Sequence, residues 1–184
     1  MAIRRRTKPA GSESEAELRR RLKADPDQHW LLTRLSSVLY EKRRYALALK
    51  YVEKAFAQVP TCPLVLWDYA GVLQMLGRHG EALDLYSRIV IRGVDRIATG
   101  ECGEGRAWAR GLVADSHYRA SVSLAAIGNE KASLSAFEHC LDLRGPGCRS
   151  IYRLDELSHP QPVTTRPNKR MQPTRGKKRD VARG

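Results

Sequence analysis

Two stretches of the chain, Leu32 to Pro60 and Leu66 to Val94, carry the same spacing of large and small apolar residues at an offset of 34 positions. Leu32, Leu35, Leu39, Ala48, Val52 and Ala55 of the first fall on Leu66, Tyr69, Leu73, Ala82, Tyr86 and Ile89 of the second. Within each stretch the apolar positions recur at three- and four-residue steps, the spacing that gathers side chains on one helix face. A turn separates two such helices in each unit, at Lys42–Arg44 and at Gly77–Gly80. Small residues at Ala48 and Ala82 let the paired helices approach closely. One such pair cannot bury its apolar face alone, so the units must stack on one another.

A third unit emerges when Gly77 of "MLGRHGEALDLY" is matched to Gly128 of "AIGNEKASLSAF". Leu124, Ser133, Phe137 and Cys140 then stand opposite Leu73, Ala82, Tyr86 and Ile89, at an offset of 51. The 17 residues beyond one period form an inserted loop around "GVDRIATGECG", where the repeat pattern lapses. Helical spacing resumes from Glu104 through Trp108, Leu112, Val113 and Leu124, which predicts a first helix extended by about three turns at its start. The 34-residue period resembles the tetratricopeptide repeat. That resemblance implies an all-α fold, a right-handed superhelical stack of about three helix-turn-helix repeats, with a concave groove that binds other proteins.

Three regions follow. Residues 1–12 form a basic, disordered N-terminal arm, residues 13–157 the repeat domain, and residues 158–184 a basic, disordered C-terminal tail. Ser14 with Glu17, or Ser12 with Glu15, fits the start of a short helix carrying Leu18 and Leu22, which covers the first full unit. Near the end, Ile151, Tyr152, Leu154 and Leu157 of "SIYRLDEL" offer a closing segment. The stretch 28–157 also resembles a group of uncharacterised bacterial tetratricopeptide proteins, at "HWLLTRLSSVLY", "CPLVLWDYAGVLQMLGR" and "RGVDRIATGECGEGRAWARGLVADSHYR". This implies the fold and a bacterial origin, with no activity or partner attached. The tail from "RPNKRMQPTRG" departs from the pattern and resembles translated repetitive DNA.

The formal charge of +13 belongs to the two ends, since residues 1–24 contribute +5 and residues 158–184 contribute +7, leaving +1 for the body. Such ends attract phosphates, but they lack interleaved aromatic residues for base stacking. Nucleic-acid binding through the tails is accordingly a weak alternative function. No apolar run approaches the roughly 18 residues that a membrane span requires, and the basic start lacks the apolar stretch of a secretory signal. Four cysteines without a CxxC pair suit reduced thiols in the cytoplasm.

The groove of the stack is lined by the first helix of each unit. The expected peptide-binding residues are Trp30, Thr33, Arg34, Ser37, Tyr40, Trp67, Gln74, Tyr118 and Arg119, the aromatics serving as anchors with large buried area. Trp30 and Trp67 equally suit packing between helices. The resemblance brings to mind a Lys/Arg/Asn clamp for chaperone carboxylates, but Thr33, Ser37, Asp68 and Asp115 occupy the matching places, so that clamp is absent. An apolar or aromatic protein segment is the expected partner.

Catalytic, cofactor and metal sites are not expected. Glu101 and Glu104 flank the glycines of "GECGEGRAW" and would repel an anion, and no Walker lysine is present. His139, Cys140 and Cys148 match no common zinc spacing. Asp115-Ser116-His117 holds the residue types of a hydrolase triad, yet consecutive helix residues cannot converge. The sequence therefore points to a non-enzymatic scaffold.

Overall fold

The computed structural model describes residues 13–160. The basic arm and most of the basic tail, and with them the nucleic-acid alternative, lie outside the described residues. Seven α-helices follow in order: α1 (Glu15–Ala24), α2 (His29–Glu41), α3 (Tyr45–Gln58), α4 (Pro63–Met75), α5 (His79–Thr99), α6 (Arg106–Ala126) and α7 (Glu130–Leu143). A 3-10 turn follows at Leu154–Glu156, and no strand occurs among the described residues.

Helix α1 begins as its sequence predicts. The Ser14 hydroxyl accepts the Glu17 N–H at 3.1 Å, while the Glu17 carboxylate turns away to Arg20 at 2.7 Å. Leu18 is fully buried among Leu31, Leu35 and Val52 of the first unit. Glu15 fixes the same packing from outside, accepting from Lys42 at 2.8 Å and Arg44 at 3.1 Å on the α2–α3 turn. Its hydrogen bonds to Lys42 and Arg19 hold that carboxyl down at about 2.

The three repeat units share one turn. In each, a residue in left-handed backbone conformation follows the first helix: Arg43 (φ 59°), Gly77 (φ 77°) and Gly128 (φ 79°). The next residue then donates back five positions, Arg44 to Leu39, Arg78 to Leu73 and Asn129 to Leu124, each at 2.9 Å. This bond satisfies a carbonyl at the helix end and reverses the chain. Arg43 costs the first turn on the order of 1 kcal/mol that glycine avoids in the other two.

Small residues also recur where the paired helices cross. Ser36 meets Ala48 and Ser121 meets Ser133, while Ala70 and Ala82 stand at the equivalent places of the second unit, all fully buried. Ser36 and Ser133 each donate their hydroxyl to the backbone carbonyl of the facing residue, Ala48 at 3.0 Å and Ser121 at 2.9 Å. A buried hydroxyl without that carbonyl would cost about 1–3 kcal/mol.

The insertion before the third unit is mostly helix. Gly93 breaks α5 with φ 73° and ψ 167°, but the helix resumes and runs on to Thr99. Val94, Ile97 and Ala98 recur at helical steps and pack on the core, Ile97 with no exposed surface. The loop shrinks to 100–105, and α6 starts at Arg106, about two turns early rather than three. Gly105, which weakens the helix pattern in sequence, is the N-cap of α6 with φ 87°.

After α7 the chain returns across α6. Arg149 donates its N–H to the Ala107 carbonyl at 3.0 Å, and a Cβ on Gly111 would sit 1.8 Å from the Arg149 carbonyl oxygen. Ala107 and Gly111 are thus where this closing segment meets the α6 backbone, most tightly at Gly111. Tyr152 is buried beyond it, whereas Leu154 is exposed. His159, in the predicted tail, rests on Phe137 with ring centres 5.7 Å apart.

Helices in contact define the architecture. Each helix packs on the next in sequence, and α2, α4 and α6 also touch in series. No such contact joins α3, α5 and α7 among the described residues. The first helices therefore crowd together while the second helices splay, which curves the stack and puts α2, α4 and α6 on its inner face. Among the described residues no helix is long and apolar enough to cross a membrane.

Candidate functional site

The inner face encloses a groove of about 860 Å³. Trp30, Thr33, Arg34 and Ser37 reach it from α2, Leu64, Trp67 and Asp68 from α4, and Trp108, Leu112 and Asp115 from α6. Arg149, Ser150 and Ile151 of the closing segment form a further wall, and Cys102, Gly103 and Glu104 of the α5–α6 loop another. The chain contains three tryptophans, and all three line this one groove.

Their settings differ. Trp30 is 46% exposed, with the Arg21 guanidinium 5.4 Å from its ring centre. Trp67 is only 6% exposed, held edge-to-face by Tyr86 at 5.7 Å and flanked by Arg119 at 5.9 Å. Trp108 is half-buried against the core. The groove thus presents one free aromatic edge and two fixed aromatic surfaces.

Five of the nine residues expected to bind a segment, Trp30, Thr33, Arg34, Ser37 and Trp67, line this groove. The other four form an internal network behind it. Arg119, 5% exposed, donates to Gln74 Oε1 at 2.8 Å, to the Tyr40 hydroxyl at 3.1 Å and to the Tyr152 hydroxyl. Gln74 Nε2 in turn donates to the Arg119 carbonyl and to Ser123, both at 2.9 Å. Tyr118 stacks edge-to-face on Tyr152 at 4.9 Å. One buried guanidinium thereby ties α2, α4, α6 and the closing segment together, and a buried charge of this kind is tolerated because each of its three nitrogens finds an acceptor.

Asp68 and Asp115 in the groove are engaged by the fold. The Ser37 hydroxyl donates to Asp68 Oδ2 at 2.6 Å, and Thr33 donates to the His29 carbonyl at 2.8 Å. Asp115, 2% exposed, accepts from the Ile151 N–H at 2.9 Å, the Ser150 hydroxyl and Arg144 at 3.3 Å. Burial pushes its carboxyl up to about 6 in spite of these donors. The triad residues diverge: Asp115 serves the closing segment, Ser116 donates to the Leu112 carbonyl at 2.8 Å, and His117 stacks on His139 at 5.2 Å. Burial, then the neighbouring His139, pushes the His117 imidazole down to about 4.

One grouping has no precedent in the sequence pattern. His29, the first residue of α2, Cys62, the N-cap of α4, and Cys102 in the 100–105 loop meet at one end of the groove. Their side-chain nitrogen and sulfur atoms lie within 4.8 Å of one another, and Cys102 Sγ is 3.9 Å from His29 Nε2. Burial, with a hydrogen bond involving Cys62, pushes the Cys102 thiol up to about 11. The three residues lie 33 and 40 positions apart, a spacing that only the stacked fold makes meaningful.

No family model and no curated protein matches the sequence. A solved chain described as MamA MSR-1 C2, a TPR-containing protein, superposes with a TM-score of 0.52 at 21% identity. The match covers 70% of this chain and 64% of that one, so this chain spans less than two thirds of its length. The likeness establishes an all-α, TPR-like helical repeat stack.

Proposed function

We propose that this protein is a non-enzymatic interaction module whose groove holds an apolar or aromatic segment of another protein. The observation that carries the reading is the convergence of all three tryptophans on one concave surface. Aromatic side chains supply large contact area at low entropic cost and dominate protein interfaces. Helical repeat stacks use their concave faces in this way, and the fold likeness to a TPR-containing protein agrees with it. Asp68, Asp115, Glu13 and Glu104 outnumber Arg34 and Arg149 along the same groove, which disfavours nucleic acid or an acidic segment there. The carboxylate clamp of chaperone-binding stacks is likewise unsupported, because Ser37 and Asp68 satisfy one another at its place.

The test is selection from a random peptide library displayed on phage, using the full chain as bait. Enrichment of peptides with spaced aromatic or large aliphatic residues, competing with one another for one site, supports the reading. Recovery of charged peptides alone, or of none, overturns it. Nucleic-acid affinity that falls steeply with salt and disappears when the ends are removed would instead assign binding to the basic termini.

A further inference from the structure

We propose that His29, Cys62 and Cys102 bind a zinc ion as a Cys2His site whose fourth coordination position opens onto the groove. The proposal stands independently of segment binding. Zinc takes sulfur at about 2.3 Å and imidazole nitrogen at about 2.0 Å in a tetrahedron, which sets its ligand atoms roughly 3.5–3.8 Å apart. The three donor atoms here already lie within 4.8 Å of one another, and the His29–Cys102 pair stands at 3.9 Å. Closing the set onto an ion needs side-chain movement of about 1 Å.

The fold holds the ligands from three directions. Cys62 is the N-cap of α4 and its side chain makes no hydrogen bond to that helix end, which leaves its sulfur to face the other two residues. His29 opens α2, one repeat unit earlier. Cys102 stands at φ 63° in a loop of fixed shape. A Cβ on Gly103 would lie 2.4 Å from the Ile97 carbonyl oxygen, and one on Gly100 would lie 2.6 Å from that of Arg96. The loop therefore packs directly on the end of α5 and turns Cys102 onto the other two residues.

Two thiols and an imidazole are the donor set that zinc prefers over magnesium or calcium, which seek oxygen. Binding releases the thiol protons, so the ion is taken up as the thiolates form. With three protein ligands, the fourth position is left for water or for a donor on a bound molecule. The ion would join unit one, unit two and the α5–α6 loop at a single point, and should therefore raise the melting temperature of the chain.

The experiment uses the untagged full chain, reduced with a phosphine and stripped of metal, titrated with Co2+ alone and then with Zn2+. The expected result is one cobalt per chain, with the visible bands of a tetrahedral ion and thiolate-to-cobalt charge-transfer bands, both erased by zinc. Cys102→Ser and His29→Ala should each weaken zinc binding by more than about tenfold, the scale on which even supporting residues act. Cys148→Ser, on the loop after α7, should leave it unchanged. Far-ultraviolet circular dichroism verifies each variant's fold, and the wild-type spectrum with His29→Ala decides the matter if a cysteine variant does not fold. A wild-type cobalt spectrum without thiolate bands, or undiminished zinc affinity in folded Cys102→Ser or His29→Ala, would overturn the assignment.

Discussion

Replacing Gly111 by alanine separates a local account of α6 from the packing described above. Helix propensity alone favours alanine over an interior glycine by about 1 kcal/mol. The structure predicts the opposite sign, because the new Cβ would stand 1.8 Å from the Arg149 carbonyl oxygen and 2.3 Å from its carbon. Those are backbone atoms, so no side-chain rotation relieves the overlap and the closing segment must lift. Lifting exposes Tyr152, now buried, and withdraws the Ile151 and Ser150 donors from buried Asp115. Losing the ring's burial costs roughly 1.5–3 kcal/mol and stranding the carboxylate a further 1–3, so after the propensity gain of about 1 the net loss is roughly 1.5–5 kcal/mol. Urea unfolding followed by circular dichroism measures it. A Gly111→Ala chain that is as stable as the parent, or more stable, would refute the contact and with it the groove wall formed by 149–151.

Asp115 gives a pH-dependent check. Its folded value of about 6 lies above the ordinary 3.8, so the folded chain binds the extra proton. That contribution is fully present below about pH 4 and is lost as pH rises through 6, by up to roughly 3 kcal/mol. The stability of the parent relative to Asp115→Asn should therefore fall as pH rises through that window, as read by unfolding at several pH values; a flat difference would contradict the shift. Trp67→Ala should lose about 3–5 kcal/mol of stability, since the indole is buried against Tyr86. A loss below 1 kcal/mol would show that Trp67 is a surface anchor instead.

The stack was legible in sequence because burial there follows periodicity. Leu32, Leu35 and Leu39 and, at the 34-residue offset, Leu66 and Leu73 are buried as the pattern requires, whereas Tyr69 is only half-buried, its ring edge-to-face with Phe56, and Gly77 and Gly128 both take the left-handed turn. The insertion was harder, because Gly93 does break the helix locally, yet the apolar spacing of Val94, Ile97 and Ala98 carries it on. The groove was legible only in part. Trp30 and Trp67 follow from repeat position, but Trp108 lies on the extension of α6, where no earlier unit offers a counterpart. Gln74, Tyr118 and Arg119 stand at inner-face positions, and the return of Tyr152 across α6 draws them into an internal network. Long-range pairings such as Asp115 with 150–151 or His29 with Cys102 leave no local signal. They follow from how loops return, which periodicity does not encode.

Trp30 provides the most direct measurement of the central claim, that the aromatic groove binds a protein segment. It is 46% exposed with Arg21 over its ring, so Trp30→Ala should cost roughly 1–3 kcal/mol of unfolding free energy while leaving the chain folded. Titration calorimetry of a library-selected segment against the parent and the Trp30→Ala chain should show affinity weakened by 1–3 kcal/mol, about 5- to 150-fold, as expected for an interface anchor. Equal affinity in both chains, with folding intact, would contradict the account.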